Sequence, residues 1–472
     1  MKKYTIVLTA GLAMAAGCID NTIVTPENAP TVDALSGDLT GAGVKTLALG
    51  VLAQDRSAAS GNGYTLFPEI YGRNAYRIDS NEPRYVLETF GPADPGSFAA
   101  GGTAYTSPYI AIRAATSLLA ALPKAVESQV SPAQNKTTAG LIQTIKALNY
   151  YRVLETRDTI GVPIQDADAA KVAPLSCKAT VLTYIAGQLD SANTSLVAAG
   201  SGTLPFAAPT GFSAYGRDYN KASNLILLNR GLRGKVELYR GLQHTTPVAG
   251  AFANAITLLT QALGGAAPGA VAPATFATGA YVTYVAGGTE NTPNPLVDSK
   301  VGVNPKAQAA LQAGDTRASK IITRSTLAGQ GLSTTYTYVG SSTANSANLT
   351  LPRAILRDEE LVLLRAQAYF ENAQFAQGTL DLNSVRTNYG LAPIAVPATL
   401  AAARDAVLYE KRFSLFFEGP QRLVDLRAYG LLKAGITPAE PIAGATDVFN
   451  TAEPIPKAEA DARGNNLTVQ CP

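Results

Sequence analysis

The clearest pattern along the chain is helical. Leu141, Ile145, Leu148, Tyr151 and Leu154 recur at spacings of three and four, which places all five on one face of a helix. The stretches 219–242, 353–375 and 400–417 carry similar Ala- and Leu-rich patterns. In 353–375, Leu361, Leu364 and Ala368 form one apolar stripe and Val362, Ala366, Tyr369 and Ala373 a second. A helix apolar on two sides packs against neighbours on both, and small Ala residues let those neighbours come close, as in stacked helix-turn-helix repeats. No identity repeat of about 34 residues is visible, so any solenoid is degenerate. Segments 57–108, 197–217, 264–303 and 329–352 are rich in Gly, Ser, Thr, Pro and Tyr and read as long loops of the kind that carry binding surfaces. Within them Tyr281-Val-Thr-Tyr284 and Thr335-Tyr-Thr-Tyr338 alternate as small β-hairpins would. The pattern predicts an all-α helical-repeat scaffold with long irregular loops and minor β-hairpins.

The N-terminus follows a different logic. Lys2 and Lys3 precede an apolar run from Tyr4 to Ala16, which ends in Ala15-Ala16-Gly17-Cys18. The run is shorter than the roughly 20 apolar residues a membrane-spanning helix needs, and it has the layout of a secretory signal. Small residues before a cysteine resemble the lipobox of bacterial lipoproteins, with Ala15 where Leu is usual. Residues 1–17 therefore read as a lipoprotein signal peptide, and polar, Pro-containing 18–36 as a tether lipidated at Cys18, leaving 37–472 as a single domain. The alternative is ordinary cleavage at a nearby Ala, with Cys18 kept as a plain thiol. Acyl chains gain about 0.8 kcal/mol per buried methylene, so two or three of them anchor a protein stably where one does not. Ile19 rather than Asp after the cysteine favours the outer membrane within the lipobox resemblance.

Composition and charge narrow the chemistry. Losing Lys2 and Lys3 takes the formal charge from +3 to +1, and no basic block remains to follow a phosphate backbone, so nucleic acid is not an expected partner. His244 is the single histidine, which excludes a zinc site with two His ligands and any multi-His relay; a Ser-His-Asp triad would have to use it. Its place after Leu242 and Gln243 is that of a helix C-terminus. Gly41-Ala-Gly43-Val-Lys45-Thr46 lacks the Gly that a phosphate-binding loop needs directly before its Lys, and reads as a helix start. Neither a metal nor a cofactor is expected. Two further cysteines, Cys177 and Cys471, would pair in an oxidising compartment and pin the C-terminal tail to mid-chain, or else remain buried thiols.

In the C-terminal third, Leu356-Arg-Asp-Glu-Glu-Leu-Val-Leu-Leu-Arg-Ala-Gln-Ala-Tyr369, Leu382-Asn-Ser-Val-Arg386 with Gly390-Leu391, Glu410-Lys-Arg-Phe-Ser-Leu-Phe-Phe-Glu-Gly419 and Arg422-Leu-Val-Asp-Leu-Arg-Ala-Tyr-Gly430 follow one another in order. Lys146-Ala-Leu-Asn-Tyr-Tyr-Arg152, Gly161-Val-Pro-Ile164, Gly314-Asp-Thr-Arg317 and Pro454-Ile-Pro-Lys-Ala-Glu459 complete the series. Together they resemble the signature of the SusD/RagB family, with 353–472 as its C-terminal region. The resemblance implies tetratricopeptide-like helix pairs on one side and irregular loops on the other. It also implies an outer-membrane lipoprotein, at the cell surface, that captures nutrients, typically oligosaccharides, as the lid of a TonB-dependent β-barrel transporter. Such a protein binds and is not an enzyme. Leu423 and Tyr429 stand where the family often has Trp, and Thr156-Arg-Asp-Thr159 replaces an aromatic-rich run. The family's ligand residues follow no transferable motif, so none is carried over.

Two groups of candidate residues follow. The motif charges Asp358, Glu359, Glu360, Arg365, Glu410, Arg412, Glu418, Asp425 and Arg427 sit on helical patterns at spacings that allow ion pairs, a structural reading. The aromatic loops offer a ligand surface, because sugar C–H faces stack on flat rings while hydroxyls bond to planar polar groups. Segment 64–85 supplies Tyr64, Phe67, Tyr71, Arg73, Asn74, Tyr76, Arg77 and Tyr85, and loop 278–296 supplies Tyr281, Tyr284, Asn291 and Asn294. Alternatively these tyrosines pack the loops or touch the transporter. The ligand face is expected mainly in 57–108 and 264–352. The absence of Trp argues for a short oligosaccharide or a peptide over a long polysaccharide. The competing functions are a glycan-degrading enzyme and a scaffold lipoprotein without a small ligand. Cys18→Ala should move the protein out of the membrane fraction on cell fractionation; retention there would remove the anchor.

Overall fold

A computed structural model describes residues 37–97, 102–165, 172–243, 247–286 and 293–471. The signal segment 1–17, the tether 18–36 with Cys18, His244 and Asn291 lie outside them. In chain order the helices are α1 (Gly41–Ser60), α2 (Asn62–Tyr71), α3 (Arg84–Phe90), α4 (Gly102–Ala121), α5 (Pro132–Arg157), α6 (Lys178–Ala199), α7 (Ala222–Gly241), α8 (Ala251–Ala262), α9 (Pro305–Ala309), α10 (Asp358–Glu371), α11 (Phe375–Asn388), α12 (Leu400–Ser414), α13 (Gln421–Ala428) and α14 (Lys457–Ala462). The strands are β1 (Ala75–Arg77), β2 (Val162–Pro163), β3 (Leu175–Ser176), β4 (Gly279–Val282), β5 (Val301–Val303), β6 (Ile321–Gly329), β7 (Leu332–Tyr338), β8 (Arg353–Arg357) and β9 (Val469–Gln470).

Side-chain caps start the long helices. The Thr40 side chain accepts from Gly43 N at 3.1 Å, so Gly41 does open a helix. Ser131 and Gln134 form a reciprocal capping box ahead of α5, with Pro132 in its first turn. The predicted stripe Leu141, Ile145, Leu148, Tyr151 and Leu154 is buried in α5. Helices then pack in succession: α1 on α4, α4 on α5, α5 on α6, α6 on α7, α7 on α8, α8 on α10, and α10 on α11 and α12. This is the tetratricopeptide-like stack, and one continuous apolar core runs through it. Close approach depends on small residues at the crossings. A Cβ on Gly140 would lie 2.4 Å from Leu196 Cγ, so α5 and α6 meet at a distance only Gly permits.

The sheets are small. The loops between α8 and α10 carry β4 to β8, in which β4 pairs with β8, β5 with β1, and β6 with β7 as a hairpin. The expected hairpin at Thr335–Tyr338 falls inside β6–β7. Tyr281–Tyr284 makes none; β4 reaches across the chain to β8, and the first five residues of the stretch 353–375 are that strand rather than helix. Segment 57–108 is also not a loop, because α2, β1, α3 and the start of α4 fill most of it. Leu66, Phe67, Ile70 and Tyr71 fall at helical spacing and are buried, so its Gly and Pro residues punctuate short helices. Leu66, Phe67 and Ile70 belong to a second, smaller core with Tyr76, Phe416 and Phe417, while Tyr71 packs with Leu423, Leu426 and Leu432. The Cys177 and Cys471 thiols lie beside each other, and hydrogen bonds hold the tail there: β9 pairs with β3, and Cys177 N donates to Gln470 O at 3.0 Å. Among the described residues no helix is long and apolar enough to cross a membrane.

Both cores hold buried charge. Arg365 of α10 is fully buried and makes two 2.8 Å bonds to Asp381 of α11, while donating to Ala266 O at 2.6 Å. In the smaller core Glu69 of α2 accepts from Asn74 Nδ2 at 2.7 Å and Phe417 N at 2.8 Å. Burial pushes the Glu69 carboxyl up to about 7 against those hydrogen bonds. Asp381→Asn should cost about 3–5 kcal/mol in chemical unfolding, since it leaves the Arg365 charge buried without a counterion. A carboxyl raised in the folded state stabilises fully only below its unfolded value near 4.3, and that contribution is lost as pH rises to about 7. Unfolding free energy should therefore fall more steeply between pH 5 and 7 in the wild type than in Glu69→Gln; parallel curves would refute the assignment.

Candidate functional site

The pairing of β4 with β8 builds the site. Register runs Gly279 to Arg357 and Ala280 to Leu356, then shifts between Ala280 and Tyr281 so that Tyr281 faces Ala354. Such an irregularity bends a strand and re-aims its side chains. The Tyr281 ring stacks on Tyr215 at 4.3 Å between centroids, and its hydroxyl donates to Ala277 O at 2.6 Å. A Cβ on Gly211 would lie 1.9 Å from Tyr281 O, so only Gly lets the 210–212 turn press against β4. Tyr281 lines two clefts, one of about 270 Å³ toward β8 and one of about 190 Å³ toward α1 and Phe212.

The larger cleft combines rings with fixed polar groups. Tyr338 from the end of β7 and Tyr389 after α11 line it with Tyr281, and Tyr338 stacks on Phe417 at 4.6 Å with the planes 4° apart. Phe417 holds a φ of 61°, a conformation non-Gly residues rarely adopt, and Glu69 fixes it by accepting the Phe417 N–H. That turn carries Glu418 into the cleft, where Arg357 grips it by two bonds of 2.8 and 2.9 Å. Arg357 also bonds Glu359 and donates to Ser414 O at 2.9 Å. Burial pushes Glu359 up, but Arg357 and Lys320 outweigh it and hold its carboxyl below the usual range. Tyr389 donates to Glu359 at 2.9 Å. Burial lowers Lys320, whose ammonium donates to Phe413 O at 3.0 Å and Ser414 O at 2.6 Å.

This arrangement suits recognition of a polar molecule with apolar faces. Rings supply flat contact area, and Arg357, Glu359, Glu418 and Lys320 are held by one another or by nearby carbonyls, whereas Arg353 donates to Ala59 O and keeps two buried nitrogens without a hydrogen bond. Among the described residues no group of His, Cys, Asp and Glu side chains is placed to hold a metal ion.

The structure divides the sequence candidates. Tyr281 lies in the cleft, as does Asn294, whose amide is engaged by Leu296 N and Asn348 O. Tyr284 is buried with Ala59 and Val282. Tyr71, Arg73, Asn74 and Tyr76 are a correction: all four are at most 7% exposed, because the segment folds inward as α2 and β1. Tyr76 bonds Glu440 at 2.7 Å, Asn74 bonds Glu69, and Arg73 pairs with Asp447 at 2.9 Å, so these groups serve internal contacts and none lines the Tyr281 cleft. Tyr64 lines a water-sized internal cavity and bonds Glu155 at 2.7 Å. Sequence reasoning missed Tyr215, Lys320 and Tyr389, which carry no local signal; Tyr338 ends the alternating piece already noted. Among the described residues, all the motif charges but Arg412 are in ion pairs, several with distant partners: Asp358 with Arg217, Glu360 with Lys235, Glu410 with Arg317 and Arg386, Asp425 with Lys411, and Arg427 with Asp158.

No family model matches the sequence, and no curated protein does. Solved structures do match. A SusD superfamily protein from Parabacteroides distasonis superposes with a TM-score of 0.66 at 13% identity, over 90% of this chain and 98% of that one. One from Bacteroides vulgatus gives 0.64 at 18% identity, over 90% and 97%. The surface glycan-binding protein A from Bacteroides thetaiotaomicron, in complex with laminarihexaose, gives 0.64 at 15% identity, over 91% and 99%. Likeness at this identity speaks for architecture, and over nine tenths of its length the chain has the fold of the SusD superfamily.

Proposed function

We propose that the chain is a non-catalytic capture protein of the SusD/RagB family. It binds a short oligosaccharide in the Tyr281 cleft and delivers it to a TonB-dependent outer-membrane transporter, over which it closes as a lid. The observation that carries this reading is the cleft itself, in which Tyr281, Tyr338 and Tyr389 converge beside amide and backbone groups. Three kinds of support join it: a neighbour of the same fold that holds laminarihexaose, the lipobox-like Cys18, which would anchor the protein at the outer surface, and the near-neutral charge.

A peptide would also meet rings and amides there, so ligand class is part of the test. The enzyme reading fares worse. Glycoside hydrolysis needs one carboxyl free to give a proton and another free to attack or to activate water. Glu418 and Glu359 both accept from the same Arg357, and Tyr389 takes a further Glu359 lone pair.

Calorimetric titration of the purified protein with laminarihexaose, other hexasaccharides and short peptides should give saturable binding of a saccharide without turnover. Tyr281→Ala should weaken that binding about 2- to 10-fold, the loss of one stacked ring contact of ~0.5–1.5 kcal/mol. Release of shorter sugars by wild-type protein, or undiminished affinity in Tyr281→Ala, would overturn the assignment.

A further inference from the structure

On the far side of Glu69 and Phe417 from the Tyr281 cleft lies another cavity, of about 370 Å³, between α2, α12, α13 and the segment after α13. Arg412 near the end of α12 and Arg422 at the start of α13 both line it. The turn that brings them together contains Phe417 and Gly419, at φ of 61° and 145°. Arg412 Nε donates to Asn74 Oδ1 at 2.8 Å, and Arg422 packs its stem on Gly72. Arg422 Nε is buried with no hydrogen-bond partner. Among the described residues neither guanidinium has a carboxylate within ion-pair distance.

Arg317, Arg365, Arg386 and Lys411 each hold a carboxylate, whereas Arg353 of β8, like this pair, holds none among the described residues. The other charged walls of the cavity are accounted for. Arg73 is paired with Asp447, Lys306 with Glu440 at 3.1 Å, and Asp405 is exposed at the rim. The buried acids that act on the pair are committed elsewhere: Asp425, which acts on Arg422, holds Lys411, and Glu69, which acts on both, accepts from Asn74 and Phe417 N with its carboxyl raised to about 7. Burial and the like charge of Arg422 push Arg412 down to about 9. Two desolvated cations facing one space repel each other, and a shared anion removes both the repulsion and the missing hydrogen bonds. Guanidinium forks match an oxyanion in geometry as well as charge. The remaining wall, with Leu426, Leu431 and Ile436, is apolar, so water competes weakly there.

We propose that this cavity is a binding site for a small oxyanion, a sulfate, phosphate or carboxylate group, held between Arg412 and Arg422. It is separate from the Tyr281 cleft and does not depend on what that cleft binds. Titrate the full chain with sodium sulfate, sodium phosphate and sodium glucuronate, each against sodium chloride at equal ionic strength, by calorimetry and thermal shift. At least one oxyanion should bind saturably with one-to-one stoichiometry and raise the melting temperature above the chloride control. Arg422→Gln should weaken binding at least 10-fold, and Arg422→Lys, which keeps the charge but loses the fork, should fall between. Tyr281→Ala should leave it unchanged, which keeps this outcome distinct from that of the saccharide test. Binding of sulfate or phosphate identifies a free inorganic ion as sufficient; binding of glucuronate alone identifies a sugar acid as the source. No saturable binding of any of the three, or equal binding by the wild type and both Arg422 variants, would overturn the site.

Discussion

The structure depends on buried ion pairs that tie segments distant in sequence to one another. Arg152 reaches from α5 to Asp55 of α1, Arg157 to Glu453 near the C-terminus, Arg317 to Asp315 and Glu410, and Arg357 to Glu359 and Glu418. Removing two charges from water costs several kcal/mol per ion, and attraction offsets this only when the remaining donors and acceptors are also satisfied. Arg365 shows how that is met. Its nitrogens divide among both oxygens of Asp381 and the carbonyls of Ala266 and Ala267, while Gly269 N bonds the same carboxylate at 2.8 Å. The loop after α8 is thereby fixed to two helices at once. A loop held in this way is not free to drift, and the loops that carry Tyr281 and Tyr338 inherit that order.

The helical stack was legible because its cause is local. A period of three and four needs no knowledge of the partner helix, and α5 and α7 appear where the stripes predict them. The site was less legible because its cause is pairing across the chain. Tyr281 shows alternation with Tyr284, which predicts a strand but not that the strand pairs with β8, and the resulting shift at Ala280 is what aims the ring. Segment 64–85 misled for the opposite reason. Its rings, Arg73 and Asn74 have the composition of a sugar-binding loop, yet the apolar spacing of Leu66, Phe67, Ile70 and Tyr71 decides the matter and takes the polar groups inside with them. Most of the motif charges sit in ion pairs, but the partners were invisible: Asp358 with Arg217 is one such pair, 141 positions apart.

Glu69 occupies an informative position between the two cavities. It holds Phe417 in a strained conformation on one side and acts on both Arg412 and Arg422 as a buried acid on the other. Such strain persists only where the surroundings over-determine it. Here the over-determination comes from the Tyr338 ring stacked on Phe417 and from Arg357 gripping the next residue, Glu418. The cleft wall and the arginine pair are thus products of one turn, 415–420, read from its two faces.

That common origin bears on what the cleft can do chemically. A catalytic carboxyl must change its protonation state within the cycle, so its surroundings have to tolerate both forms. Arg357 favours the charged form of Glu359 and grips Glu418 in bidentate geometry, which is what a fixed wall requires and what a proton shuttle cannot use. Preorganisation of this kind lowers the ordering cost of binding, since neither the Tyr281 and Tyr215 pair nor the Tyr338 and Phe417 pair must be assembled around a ligand.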